Sequence, residues 1–287
     1  MKCVSKSWNT LISDPKFVKM HLNRSSRNSQ YFLVSKKDVI TDYSFVPFSI
    51  SHLLENRLID LPNDPYYQLI DKDCRKVVGS CNGLVCLLGY SLYKDDVHNN
   101  EAWLRFWNPA TRTISDKSGY FHYDMYKLKC WKFTFGYDNS TETYKVVALH
   151  YDYSDKTTKV QVLSFGDNIW RNIQSFNARL LQFLFPNNES YCDVHLNCTV
   201  NWLAYIKNND FDYKFVIISL DLGTETHTQL LLPPDSRVDP VSGVCVLMGS
   251  LCFHHEFEGT NFVIWMMTKF GDEKSWTQFF KFSYQDL

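Results

Sequence analysis

With 287 residues the chain is long enough for one large β domain or two modest ones, and a chain of this size buries about 75% of its unfolded surface. Its 30 Lys and Arg oppose 31 Asp and Glu, leaving a formal net charge of -1, so no global field draws in nucleic acid or an acidic membrane. Aromatic residues make up 16% and charged residues 21%, a balance that favours strands and protein-binding surfaces over long helices.

The first 22 residues read as two short helices. Val4, Trp8, Leu11 and Ile12 stand at helical spacing on one apolar face. Asp14 then suits an N-cap and Pro15 a first helical position, with Phe17, Val18 and Leu22 forming the apolar side of the second helix. The literal segment CVSKSWNTLISDPKFVKMHL resembles the second half of a plant F-box. Residues 23–30, NRSSRNSQ, hold no apolar side chain and read as a solvated connector. The main domain, 31–287, begins at Tyr31.

From there short β-rich runs alternate with Gly, Pro, Asn and Asp turns: YFLV at 31, GLVCLLGY at 83, YKVVALHY at 144, KVQVLSF at 159 and FVIISLDL at 215. NARLLQFLF (177–185) is open between a buried strand, a loop lining and one helical turn. One hairpin recurs. In VLSFGDNIWRNI (162–173) and MTKFGDEKSWTQFF (267–280), Phe-Gly-Asp ends a strand and Trp170 or Trp276 opens the next. IISLDLGTETHTQLLLP (217–233) fills the same slot with Gly223, and LRFWNPATRTI (104–114) with Asn108-Pro109. Turn markers at 108, 166, 223 and 271 are thus spaced by 58, 57 and 48 residues, each hairpin preceded by a further strand signal. The reading expects Gly166, Gly223 and Gly271 to supply positive φ.

Roughly four strands per ~50 residues is the signature of a propeller blade, whose sheet buries both faces only when neighbours stack on it. A Greek-key sandwich with look-alike hairpins is the alternative. SCNGLVCL, WNPATRTI, FTFGYDNSTETYKVVAL, VQVLSFGDNIWRNI, VNWLAYI, VIISLDLGTETHTQLLLP and MGSLCFHH with VIWMMTKFGDEKSWTQFF resemble, in order, the signature segments of the plant F-box-associated domain. That resemblance implies an all-β, kelch-like propeller fold. It departs from the family in two places: the leucine- and proline-rich first F-box helix does not precede these residues, and the chain stops at Leu287 where the family's domain usually adds strands. The expectation is therefore a truncated adaptor module and a propeller whose closure is left open.

Nine cysteines, scattered and without a preceding secretory signal, fit a reducing cytosol or nucleus. No apolar stretch approaches the ~20 residues of a membrane helix. Cys192, His195 and Cys198 invite a zinc reading, but on a strand His195 would face away from both thiols, and no second Cys pair of finger spacing accompanies them. His254-His255-Glu256 lacks a partnered nucleophile, and adjacent strand residues diverge. The nucleophile-elbow, P-loop and dinucleotide fingerprints are missing from the sequence. The reading therefore expects no catalytic residue, cofactor or metal.

What remains is a binding surface on loops held by rigid sheets. Tyr90–Ala102, Ser118–Lys129, Tyr151–Thr158 and Lys207–Tyr213 are the candidate loops, with Tyr123, Met125, Tyr126, Tyr151 and Tyr153 as anchor-type residues for a target protein. The resemblance implies a non-catalytic substrate-recognition subunit of a Skp-cullin-F-box ubiquitin ligase. In it, Val4, Trp8, Leu11, Ile12 and Phe17 belong to the module that docks on a Skp-type adaptor and the cullin complex. An adaptor-free interaction protein is the second reading, and a propeller enzyme or glycan-binding module the third.

Overall fold

A computed structural model describes residues 10, 14, 16–17, 20, 31–38, 42–49, 69–71, 73–74, 76–91, 100–123, 131–185, 193–209, 212–234, 236–257 and 260–283. Near the N-terminus Thr10, Lys16, Phe17 and Met20 are helical. Asp14 caps the second helix as its sequence position predicts: Oδ1 accepts from the backbone N–H of Lys16 at 2.8 Å and of Phe17 at 3.3 Å. Val4, Trp8, Leu11 and Ile12 lie outside the described residues, and Phe17 is half-buried.

The chain forms two compact units, Met1–Ser91 with Ala102–Lys117 and Leu92–Glu101 with Ser118–Leu287. The first holds an antiparallel sheet of β1 (Tyr31–Asp38), β2 (Asp42–Ser49) and β3 (Leu69–Asp71). A second sheet runs in chain order through β4 (Lys76–Cys81), β5 (Leu84–Tyr90), β6 (Asn100–Asn108) and β7 (Thr113–Ile114). Cys74, Val85, Leu87 and Trp107 form its core cluster. Gly89 pairs across strands with Trp103, and a Cβ there would come within 2.2 Å of the indole nitrogen and 2.1 Å of the Asp73 carbonyl oxygen. The missing side chain is what lets Trp103 lie over β5.

The second unit opens with β8 (Ser118–Tyr123), then the sheet β9 (Trp131–Asp138), β10 (Thr143–Asp152), β11 (Thr157–Ser164) and β12 (Arg171–Phe176). In the next sheet β13 (Arg179–Leu180) and β14 (Val194–Leu196) share one edge of β15 (Thr199–Asn209), followed by β16 (Asp212–Asp221) and β17 (His227–Leu231). The last sheet is β18 (Gly243–Leu247), β19 (Ser250–Phe257), β20 (Asn261–Met267) and β21 (Trp276–Ser283). The NARLLQFLF segment resolves into β13 and one helical turn, Leu181–Leu184. Each four-stranded path follows chain order without the returning connection of a Greek key, which decides against the sandwich.

Stacking explains the apolar run of β16. Val216, Ile218 and Leu220, with Val200, Trp202 and Ala204 of β15, face Val147, Leu149, Val160 and Val162 of the preceding sheet. Ile217 and Leu203, on the opposite face, meet Val244, Leu251, Phe253, Met267 and Trp276 of the following sheet. A strand with both faces buried loses the apolar–polar alternation of a half-exposed one. The fold is all-β and propeller-like.

The sequence repeat has a structural counterpart. All four marked hairpins join the third and fourth strands of their sheets. Trp170 Nε1 donates to the Gly119 carbonyl at 2.9 Å and Trp276 Nε1 to the Leu231 carbonyl at 3.0 Å, so both tryptophans of the Phe-Gly-Asp hairpins fasten their strand to an earlier segment. Gly166 and Gly271 adopt positive φ (94° and 82°) as expected, whereas Gly223 does not; Glu225 takes the left-handed position instead, at 57°. A Cβ on Gly223 would stand only 3.1 Å from Ser140 Oγ, so close packing rather than φ accounts for that glycine. SCNGLVCLLGY and LMGSLCFHH, read as single strand signals, are hairpins turning at Asn82-Gly83 and Met248-Gly249, with φ positive at all four residues.

Candidate partner-binding surface

In the second unit the β10–β11 and β15–β16 hairpins end on a cluster of tyrosines around Arg179. The Arg179 guanidinium lies 5.0 Å from the Tyr151 ring centroid and 4.9 Å from that of Tyr153. It donates to Tyr153 Oη at 2.8 Å and, with longer geometry, to Tyr205 Oη at 3.5 Å. Tyr151 and Tyr153 meet edge to face at 5.1 Å, and Tyr205 meets Tyr213 at 5.4 Å. Each cation–π contact of this exposed kind contributes about 0.5–1 kcal/mol.

Local sequence explains the placement. Tyr151 lies two residues beyond Leu149, where the buried run of β10 ends, and Asp152 turns the chain by accepting from the Ser154 and Asp155 N–H groups at 2.8 and 3.4 Å. That turn lifts Tyr153 out of the sheet, leaving it 62% exposed; Tyr213, opening β16, is 48% exposed. Burial, then the neighbouring Tyr205, raises the Tyr151 phenol above its ordinary range.

Two of the five loop anchors, Tyr151 and Tyr153, therefore come together, and Arg179, Tyr205 and Tyr213 join them. Tyr213 lay in a candidate loop, but Arg179 and Tyr205 carried no signal: one sits in a two-residue strand, the other within the apolar alternation of β15. Tyr123 ends strand β8 rather than occupying a loop, because residues 118–123 pair as a strand, in which Phe121 packs among Trp131, Phe133 and Trp170. Met125 and Tyr126 lie outside the described residues.

At the opposite end of the same hairpins lies a different construction. Lys145 of β10 donates to the Leu222 carbonyl at 2.5 Å and pairs with Asp138 at 3.0 Å and Glu225 at 2.9 Å. Glu225 also takes two parallel bonds from Arg171, at 2.8 and 2.9 Å. The Asp138 side chain is 0% exposed and that of Lys145 6%. Burial alone would raise the Asp138 carboxyl, but hydrogen bonds from Ser140, Thr141 and Lys145 hold it well below the usual carboxylate range. The Arg171 fork lowers Glu225 against its partial burial, with Lys145 adding to the effect. This network ties the β16–β17 turn to the preceding sheet.

Other constellations resolve into structural contacts. Thr134 Oγ1 donates to Asp193, while His195 Nε2 lies 3.1 Å from both Thr134 Oγ1 and Asp193 Oδ2. One ring nitrogen meets both partners, so the imidazole does not bridge acid to hydroxyl as a relay requires. The Asn197-Cys198 pair forms the β14–β15 turn with positive φ at both residues, so the segment around His195 is not the continuous strand its spacing assumed. His254 packs on Phe262 and His255 on Phe253, pointing apart. Among the described residues no group of three or more His, Cys, Asp or Glu is placed to hold a metal, and no helix is long and apolar enough to cross a membrane.

Sequential four-stranded sheets, those of the second unit stacked face to face, define a propeller-like domain. Residues 37–287 match the F-box associated beta propeller domain family, and the chain belongs to that family. It is similar to the F-box/kelch-repeat protein At3g23880 of Arabidopsis thaliana, 26% identical over 96% of this chain and 72% of that protein. It is also similar to the F-box protein At5g10340 of Arabidopsis thaliana, 26% identical over 97% of this chain and 63% of that protein. The chain thus spans about two thirds of the length of these relatives. Among solved structures, an uncharacterized protein (lmo1340) of Listeria monocytogenes EGD-e aligns with a TM-score of 0.46 at 10% identity, covering 89% of this chain and 63% of that one.

Proposed function

We propose that the protein is a substrate-recognition subunit of a Skp-cullin-F-box ubiquitin ligase in the cytosol or nucleus, and that the Arg179–tyrosine end of its sheets holds the target. The observation that carries this reading is the family match over residues 37–287, in a chain whose Arabidopsis relatives are named F-box proteins. In this role the chain makes and breaks no bond. It raises the effective concentration of target lysines near a charged ubiquitin-conjugating enzyme, so binding geometry is the property required of it. Tyr153 and Tyr213 offer large, rigid, amphipathic contact area, and Arg179 adds a planar donor set; residues of these types dominate interface hot spots. Val4, Trp8, Leu11, Ile12 and Phe17 belong to the adaptor-docking module.

The test is immunoprecipitation of the full chain from plant cells after proteasome inhibition, probing for a Skp-type adaptor, a cullin and ubiquitin-conjugated proteins. The reading expects all three in the wild type, and loss of the conjugated proteins alone in Tyr153→Ala/Arg179→Ala. Co-purifying proteins without adaptor or cullin would support the adaptor-free interaction protein instead.

A further inference from the structure

A depression of about 380 Å³ lies on the β9–β12 sheet, walled by Trp131, His150, Lys159, Gln161, Asn172 and Ser175. Its volume is within the ~300–1,000 Å³ range of small-ligand pockets. The register explains why these residues converge. Trp131 pairs with His150, His150 with Lys159, and Gln161 with Asn172, so four strands contribute side chains to one face. A bulge opposite Lys159, where the β11–β12 register shifts between Thr158 and Val160, admits Ser175 to the same depression.

The chemistry of the walls narrows the ligand. The Lys159 ammonium is already paired with Asp155 at 2.5 Å, so the site offers no uncompensated cation to an anion. Gln161 Nε2 donates to Asn172 Oδ1 at 2.9 Å, which leaves the Gln161 carbonyl oxygen as an acceptor and the Asn172 amide protons as donors. The Ser175 hydroxyl can act in either sense. The Trp131 indole, 5.1 Å from the His150 ring, supplies an apolar wall. A neutral ligand with vicinal hydroxyl groups, each both donor and acceptor, and one apolar C–H face satisfies all of these groups at once.

From this geometry we infer that the β9–β12 depression is a carbohydrate-binding site that takes a neutral hexopyranoside, with Gln161 and Asn172 reading adjacent hydroxyls and Trp131 covering the sugar's apolar face. The inference does not rest on the ubiquitin-ligase reading or on any adaptor, so a protein that recovers no ligase subunit leaves it standing. It is tested by titrating the full chain with the methyl glycosides of glucose, galactose, mannose and N-acetylglucosamine at millimolar concentration, following indole and side-chain amide proton–nitrogen signals. At least one glycoside is expected to give saturable shifts of the Trp131 indole and of the Gln161 and Asn172 amides. Gln161→Ala and Trp131→Phe should each weaken that binding at least tenfold with the melting temperature retained. No saturable shift with any of the four, or equal binding by both variants, would overturn it.

Discussion

Two ends of the same hairpins in the second unit are built to opposite rules. At the Lys145 end, two carboxylates, an ammonium, a guanidinium and a backbone carbonyl close a network whose central members are buried. At the Arg179 end, a cation sits among tyrosines of which Tyr153 and Tyr213 keep much of their surface in water. A charge network is intolerant of losing a buried member, because the remaining charges stay desolvated. An exposed aromatic cluster tolerates truncation in the free protein and matters when a partner covers it. One end therefore holds neighbouring sheets in register, and under the proposed function the other is free to vary with the target.

Breaking this contrast most severely calls for Lys145→Met. It leaves Asp138 and Glu225 without their shared cation and should cost about 3–5 kcal/mol. At roughly 2–4 °C per kcal/mol for a domain of this size, the melting temperature falls by on the order of 10 °C or more in a thermal scan. Tyr153→Ala with Arg179→Ala should instead leave the melting temperature within a few degrees while weakening target capture at least tenfold, about 1.4 kcal/mol. A smaller effect comes from pH. Asp138 and Glu225 are held below their unfolded values, near 4 for carboxyls, so their contribution is complete at neutral pH and is lost as pH falls below about 4 toward their folded values. Melting temperatures measured from pH 6 to 3 should drop, and Glu225→Gln should flatten that dependence. Arg171→Gln should shift stability least, by under about 1 kcal/mol, since its side chain is 46% exposed and surface pairs contribute little.

How much of this was legible in the sequence differs between the two ends. Strands were readable because β10, β11 and β16 carry long apolar runs between polar turns, and the blade repeat because its third hairpin reuses Gly, Asn and Asp. The turn chemistry was only half visible. Asn108–Thr113, Asp138–Thr143, Asp152–Thr157 and Asp221–Thr226 form one recurring turn, its first side chain accepting from backbone N–H groups two and three residues on. Its fifth residue, Arg112, Glu142, Lys156 or Glu225, takes φ between 54° and 59°. A left-handed residue without glycine hid the pattern; the Asp or Asn followed five residues later by Thr was the available signal. The Lys145 network escaped because Lys145 and Glu225 are 80 positions apart and each alone reads as a solvated charge. Tyr151 and Tyr153 were legible as aromatic residues at a polar turn, whereas Arg179 gains its role only through a fold that returns it to them.

The contrast is tested most directly by quantitative mass spectrometry of the proteins that co-purify with the full chain, comparing wild type with Tyr153→Ala/Arg179→Ala at matched melting temperature. The account predicts that the ubiquitin-conjugated proteins captured by the wild type fall at least tenfold in the variant. Undiminished capture by a variant stripped of these side chains would contradict it.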